Sequence, residues 1–534
     1  MALAALAVLA CAPCHSSIVE SYSRTGMGRA FYRLTGASRI EDFTRNNTLV
    51  HVPSKSRFTM TERGGRFFIR REHPNGTLEK EIHYVLGSGN HARGYVHRTP
   101  QGRLYTMPVS WYTDGSGRWQ MAPGYDRPEH FDFRRKISYE CFFCHNAYPK
   151  VPANAERDPA DPVFLDPLPE GIDCTRCHGD AAPHLRQPRP GNILNPKRLP
   201  AARQLEICLQ CHLEPTSHAL PYVLRRYDRP FFSYRPGEPL QDYMLFFDHP
   251  PGTPYADKFE VVSAAYRFRK SACFKMSNGR MTCTTCHDPH ARGVKNACQS
   301  CHAKAHNPDK DCALCHMAKR HPEDAPLTLM TDHYIQRIPI RADPPELPEY
   351  KGPVVPYYPE SADPFYLAVA QVKEGVHLKD GILRLRKLSA SFPAPDFSLE
   401  LAEAYRKSGA PREAIPFYEQ ALKSMPSLLA AWRGLALAKY PAPEPAIEGL
   451  KHAPGDAFLL ALLGMARASE ADLEAAIRAD PDMAESYVNL GALLGRKGDS
   501  KRAIELFRQA LAIDPRNRAA EANLKLAGEK VKAK

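Results

Sequence analysis

Seven copies of the pentapeptide C-x-x-C-H occupy the first 316 positions of this 534-residue chain. They are Cys11/Cys14/His15, Cys141/Cys144/His145, Cys174/Cys177/His178, Cys208/Cys211/His212, Cys283/Cys286/His287, Cys298/Cys301/His302 and Cys312/Cys315/His316. Each copy is an attachment signature for a c-type haem. Two thiols three residues apart reach the two vinyl groups of one porphyrin, and the adjacent histidine becomes the proximal ligand of its iron. The motifs absorb 14 of the 15 cysteines. Structural zinc sites and disulfides have no use for a histidine after every second cysteine, and a redox-active CxxC would occur once, in a βαβ setting. The expected cofactors are therefore seven c-type haems, each with one iron. A domain built this way packs around porphyrin and needs little side-chain core.

The formal net charge of +13 suggests a nucleic-acid partner only until the haems are counted. Each brings two propionates against one ferric charge, so seven add about −7 when oxidised and about −14 when reduced. The holoprotein is then near neutral, the basic side chains read as propionate partners, and no nucleic acid is expected. Covalent haem attachment takes place outside the bacterial cytoplasm, so the chain is expected to be exported, periplasmic or extracellular. Residues 1–10 are apolar but lack a basic start and are too short for a full signal, which points to a leader upstream of Met1. Val8-Leu9-Ala10-Cys11 has the look of a lipoprotein cleavage box, but Cys11 is assigned to haem. No segment offers the 18 or more apolar residues of a membrane span, leaving a soluble protein or one held peripherally at a membrane.

The expected fold class is mostly α with much irregular structure, a multihaem domain with a small antiparallel β insertion followed by an α-solenoid. Residues 1–338 form the heptahaem region. Within it, residues 46–125 read as strands, with Gly64-Gly65 and Asn75-Gly76 as hairpin turns. Residues 339–364 are Pro-rich and read as a stiff linker or an extended wrap. Beyond them the cysteines stop, and a 34-residue period sets in. Ala402, Tyr405, Ala414, Tyr418, Ala421 and Pro426 share their spacings with Gly491, Leu494, Ala503, Phe507, Ala510 and Pro515, the small/large code of tetratricopeptide helix pairs. Shortened copies are expected between these two, a divergent pair over 365–392 and a capping helix over 518–531. Such an array is an interaction module with a concave groove.

Sixth ligands decide the chemistry, because an iron with two protein ligands passes electrons and one with an open position binds small molecules. His184, His290, His306 and His333 lie in tight loops beside motifs and are candidate distal ligands. His91 follows a glycine turn, and His249 is a further candidate. Met27, twelve residues after His15, reads equally as a distal ligand and as a buried gap-filler. The unpaired Cys273 is read as a buried thiol packed on the fifth haem.

Several of these runs carry a resemblance. Cys11-Ala-Pro-Cys14-His15 with Thr25-Gly-Met-Gly-Arg29, Cys283-Thr-Thr-Cys286-His287-Asp-Pro-His290, and Cys312 to Arg320 followed by Thr331-Asp-His333 resemble a group of exported multihaem cytochromes that end in tetratricopeptide repeats. The haem region is similar in style to the superfamily of hydroxylamine oxidoreductase, pentahaem nitrite reductase and the tetrahaem nitrification cytochromes. The resemblance implies close haem stacking and histidine sixth ligands, with His184, His290 and His333 at matching positions. The chain departs from it in having neither CxxCK, by which the pentahaem reductases hold their catalytic haem, nor an identifiable haem-linking tyrosine.

The favoured expectation is electron transfer through seven haems, with redox partner proteins or further copies of the chain docked on the repeats. One alternative is a multihaem oxidoreductase acting on a small nitrogen or sulfur compound at an open haem. The other is a subunit of an extracellular cytochrome filament. No catalytic residue is assigned.

Overall fold

A computed structural model describes residues 5–153, 155, 160–214, 223–295, 297–302, 311–340, 343, 347, 350, 352–374, 378–389 and 395–532. The first motif lies on the helix Ala5–Ser23, which His15 interrupts with φ −123° and ψ 36°.

The N-terminal part is then sheet-rich, which corrects the expectation of a mostly α chain with a small β insertion. Four antiparallel strands, Thr48–His51, Ser56–Arg63, Arg66–His73 and Gly76–Ile82, pair in chain order. Gly64 and Gly65, at φ +58° and +74°, turn the central hairpin, and Arg63 pairs with Arg66 across them. Positive φ at both turn positions matches the right-handed twist of the strands, and glycine reaches it without strain. A second sheet has seven strands: Phe31–Arg33, Tyr84–Leu86, Ala92–Arg98, Leu104–Thr106, Val109–Tyr112, Arg118–Met121 and Arg135–Lys136. Phe58, Met60, Phe67 and Ile69 from the first sheet share one buried cluster with Tyr95, Val109, Trp111 and Trp119 from the second. The sheets thus reach outside 46–125 at both ends. Pieces of two or three residues are too short for the period-2 alternation that reveals a strand.

Helix is sparse among the described residues of 126–338, where five of the six motifs sit on helices of seven residues or fewer and the fourth ends the longer helix Ala201–His212. Examples of the short helices are Tyr139–His145, Thr175–His178 and Cys312–His316. The Pro-rich segment contributes the strand Val355–Tyr358, which pairs with Met244–Asp248 at the edge of a three-stranded sheet. Pro356 is tolerated there because an edge strand has a side that needs no donor.

Helices from Pro364–Glu374 to Arg518–Lys532 stack as antiparallel pairs. Glycines let the backbones approach. A Cβ on Gly434 would stand 2.3 Å from the Tyr418 ring, and one on Gly491 2.7 Å from Phe507. One edge of this solenoid lies on the sheets. Arg103 Nη1 donates to the Ala479 carbonyl at 3.0 Å, Asn75 Nδ2 to that of Pro515 at 2.8 Å, and Arg71 to that of Ala512. Lys80 pairs with Asp482, Lys136 with Asp480 and Arg134 with Asp514. Helix C-termini leave carbonyls unsatisfied and carry partial negative charge, so basic side chains on the sheet are matched to them.

Candidate functional site

In three of the motifs a hydrogen-bonded turn sets the two thiols and the histidine on one face. In the third, fifth and sixth copies the histidine N–H returns to the carbonyl of the first cysteine, 2.9 Å away in each case: His178 to Cys174, His287 to Cys283 and His302 to Cys298. One turn therefore carries the thiols at i and i+3 and the imidazole at i+4 on one side.

The structure sets three motif histidines opposite three of the loop histidines. The ring centroids of His15 and His184 are 6.4 Å apart with their planes 22° from parallel. His178 and His290 stand at 6.0 Å and 18°, and His287 and His333 at 6.1 Å and 31°. Two imidazoles bound through nitrogen at about 2 Å to one metal, each ring centre roughly 1.1 Å beyond its nitrogen, would have centroids about 6.2 Å apart. Among the described residues no three His, Cys, Asp or Glu side chains gather as they would around a bare ion. The spacing of the three pairs would suit the two faces of the group that the motifs imply.

The second ring nitrogen supports the same assignment. Nδ1 of His178 lies 2.9 Å from the Leu194 carbonyl and Nδ1 of His316 2.9 Å from that of Gln336. His184 and His333 engage the carbonyls of Arg189 and Thr331 at 3.2 and 3.1 Å. A carbonyl only accepts, so the proton sits on Nδ1 and leaves the Nε2 lone pair for a metal. Burial pushes the pKa of His145, His287, His290 and His333 down. His212 falls to about 4, through burial and then its neighbours His333, His145 and His287. All five are kept neutral near pH 7, the form that binds metal.

The motifs adjoin through their cysteines. Cys11 lies against Cys174, Cys144 shares a thiol hydrogen bond with Cys211, Cys208 with Cys283, and Cys312 lies against Cys298. Cys177 neighbours Cys211, and Cys286 neighbours Cys298. The motifs thus run first, third, fourth, fifth, sixth, seventh, with the second beside the fourth. Apolar side chains stand exposed along this series, including Ile18 and Leu185 near the His15–His184 pair and Leu314 inside the seventh motif. A porphyrin face needs such a lining, and these residues fit the group on that count too.

The motif thiols differ in depth. Cys14, Cys141, Cys301 and Cys315 are exposed, whereas the other ten motif cysteines are half-buried. Cys301 and Cys315 are the second thiols of the sixth and seventh motifs, whose first thiols, Cys298 and Cys312, face each other. Ser300 Oγ stands 3.9 Å from Cys301 Sγ, and Ser138 Oγ 3.5 Å from Cys141 Sγ. A thiol that has to add to a vinyl group must be reachable, so exposure is compatible with attachment.

Other candidates are placed differently. His184 faces His15. Met27 is half-buried, and its carbonyl accepts from Ile172 N at 3.0 Å, tying the first motif to the approach of the third. His91 is exposed beside Asn90, which accepts from Arg292 at 2.7 Å. His249 is buried between the rings of Tyr255 and Tyr350, at 5.0 and 4.3 Å, and faces no motif histidine among the described residues. His306 lies outside the described residues. Among those described, no imidazole is set opposite His145, His212 or His302. Cys273, on the short helix Ala272–Met276, neighbours Cys286 and Cys298.

One residue that sequence reasoning passed over holds three motifs together. Arg176, inside the third motif and 2% exposed, donates to the Phe143 and Asn146 carbonyls at 2.7 and 3.0 Å and to Gln210 Oε1 at 2.8 Å. Phe143 and Gln210 occupy the variable positions of the second and fourth motifs. The only signal in the sequence is a cation and an amide at positions where the motif tolerates anything.

The C-terminal region carries tetratricopeptide repeats, matched by two repeat models over residues 399–428 and 463–518. Among solved structures the chain is similar to YrrB, described as a tetratricopeptide-repeat protein with an unusual peptide-binding site, at 18% identity over 30% of this chain and 90% of that one, with a TM-score of 0.26. It is similar to MamA from Desulfovibrio magneticus RS-1 at 18% identity over 29% and 98%, with a TM-score of 0.26. The hetero-tetramer Cut9-Hcn1 matches at 19% identity over 33% and 38%, with a TM-score of 0.28. No curated protein matches the chain. Among the described residues no helix is long and apolar enough to cross a membrane.

Proposed function

We propose that this chain is an exported seven-haem c-type cytochrome that carries electrons, with its tetratricopeptide array as the surface for protein contact. The observation that carries the reading is the set of near-parallel histidine pairs 6.0 to 6.4 Å apart, each with one member from a CxxCH motif. Bound haem supplies one-electron transfer at each site. The chain's own residues do the rest. The motif thiols anchor, the imidazoles fill axial positions, and the backbone carbonyls at Leu194, Arg189, Thr331 and Gln336 hold the rings in the ligating tautomer. The contacts between cysteines of successive motifs support one continuous series of sites. Two axial histidines close an iron to substrate, which favours conduction over catalysis at the first, third and fifth sites. Redox partner proteins, or further copies of the chain, are the proposed occupants of the repeat surface.

Production with a c-type cytochrome maturation system, followed by intact-mass and haem analysis, tests this. Seven covalent haems per chain are expected, one for each motif. Haem that washes out in acid-acetone, or a chain that matures without any, would sink the proposal.

A further inference from the structure

The segment 330–336 touches two of the proposed sites at once. It carries His333, which faces His287 of the fifth motif. It also supplies the Gln336 carbonyl, which accepts from His316 Nδ1 of the seventh motif at 2.9 Å. Its backbone is clamped to the tail of that seventh motif. Thr331 pairs with Lys319 and Met330 with Arg320, Asp332 N donates to the Ala318 carbonyl at 2.7 Å, and Gln336 N to that of His316 at 3.1 Å.

At the centre of the segment is a buried ionic cluster. Arg267 grips the Asp332 carboxylate with both branches, Nε to Oδ1 at 2.9 Å and Nη2 to Oδ2 at 2.6 Å, and Arg320 Nη1 adds a third contact at 3.0 Å. Arg267, Arg320 and Asp332 are all buried, and Asp257 meets Arg267 Nη1 at 2.7 Å as a second carboxylate. Asp332 Oδ1 also accepts from Tyr334 N at 2.9 Å, which folds the chain on either side of His333 around the carboxylate. Breaking one partner of a buried ion pair leaves an uncompensated charge, so such a cluster tolerates very little movement. A bidentate guanidinium–carboxylate pair fixes direction as well as distance.

We propose that Asp332, held by Arg267 and Arg320, is a positioning residue that sets the axial ligands of the fifth and seventh sites together. The proposal rests on the haem reading above. It makes one rigid segment responsible for where His333 stands against His287 and for the hydrogen bond that orients His316.

The test is Asp332→Asn in the haem-loaded full chain, read by haem count and by electron paramagnetic resonance of the oxidised protein. The expected result is full haem content, with a high-spin signal of about one haem per chain as His333 withdraws, and shifted g-values for a second, still low-spin haem. An unchanged spectrum at full haem content would overturn the proposal. Should Asp332→Asn fail to yield folded protein, Arg267→Lys keeps the charge but removes the fork, and the same two signatures are expected at lower amplitude; their absence overturns it equally. Asp161→Asn, which breaks the Arg103–Asp161 pair in the sheet region, serves as control. If it produces the same two signatures, the effect is general loosening and the assignment fails. A parent chain without haem would sink the underlying reading, whereas a low-spin parent with a silent Asp332→Asn sinks only this inference.

Discussion

Arg176 illustrates how single side chains arrange this molecule. A guanidinium out of water is tolerated when acceptors surround it, and here they come from the second and fourth motifs while the cation itself belongs to the third. Truncation would strand three buried acceptors. Arg176→Ala is expected to lower stability by about 3 kcal/mol or more, given about 1–3 kcal/mol for each unsatisfied buried polar group. Chemical denaturation of the holoprotein reads this, and a loss below about 1 kcal/mol would contradict the role. Two histidines away from the motifs give the region its pH response. Burial, then Arg516, pushes His130 down to about 3, and burial, then Lys80, pushes His97 down to about 4. The unfolded chain, with histidines near 6.5, takes up protons first as pH falls. Stability contributed by the neutral rings is therefore full above pH 6.5 and is lost between about 6.5 and about 3 as pH falls. Unfolding midpoints measured across that range should flatten in a His97→Gln, His130→Gln double variant; an undiminished slope would refute the assignment.

At the scale of elements, legibility followed locality. The CxxCH turns could be read directly, because one turn sets thiols and imidazole on the same face. How deeply each thiol sits could not: the second thiols Cys301 and Cys315 are exposed while the second thiols Cys177 and Cys286 are half-buried, a difference between identical pentapeptide positions. His184, His290 and His333 could be named from their position in loops beside motifs, but not the rings they meet. His290 follows His287 by three residues yet faces His178, and His184 follows His178 by six yet faces His15. Those pairings depend on how separate motifs pack, which no local spacing records. The hairpin at Gly64-Gly65 was evident for the same reason as the CxxCH turns, whereas strands such as Phe31–Arg33 and Arg135–Lys136 exist only through distant partners. Repeat packing was visible because the small/large code occurs twice. It also gives a sharp prediction. Gly434→Ala drives a methyl into Tyr418 and should cost about 1–3 kcal/mol. Gly455→Ala, where a Cβ meets nothing within 4 Å, should be near neutral. Thermal unfolding of the two variants separates them, and equal midpoints would contradict the close approach.

Across the whole molecule, the repeat array is a neighbour of the sheets rather than a free appendage. Three ion pairs and several donors to helix-end carbonyls hold one edge of the solenoid. Reversing Asp480 and Asp514 to lysine sets like charges against Lys136 and Arg134. It should detach that edge, visible as a larger radius of gyration in small-angle scattering and faster proteolysis within 339–364. An unchanged scattering curve would mean that the charges do not hold it. With that edge covered, the remaining surface of the repeats is what a partner can reach, while the adjoining cysteine motifs run as one series beside the sheets. The account's central claim is the proposed one, that this series would hold haems, with those of the first, third and fifth sites closed on both faces by histidine. An electron paramagnetic resonance spectrum of the oxidised holoprotein, with haem quantified per chain, tests it most directly. The account predicts low-spin signals amounting to at least three haems per chain, one for each histidine pair; a low-spin content below three haems per chain would contradict it.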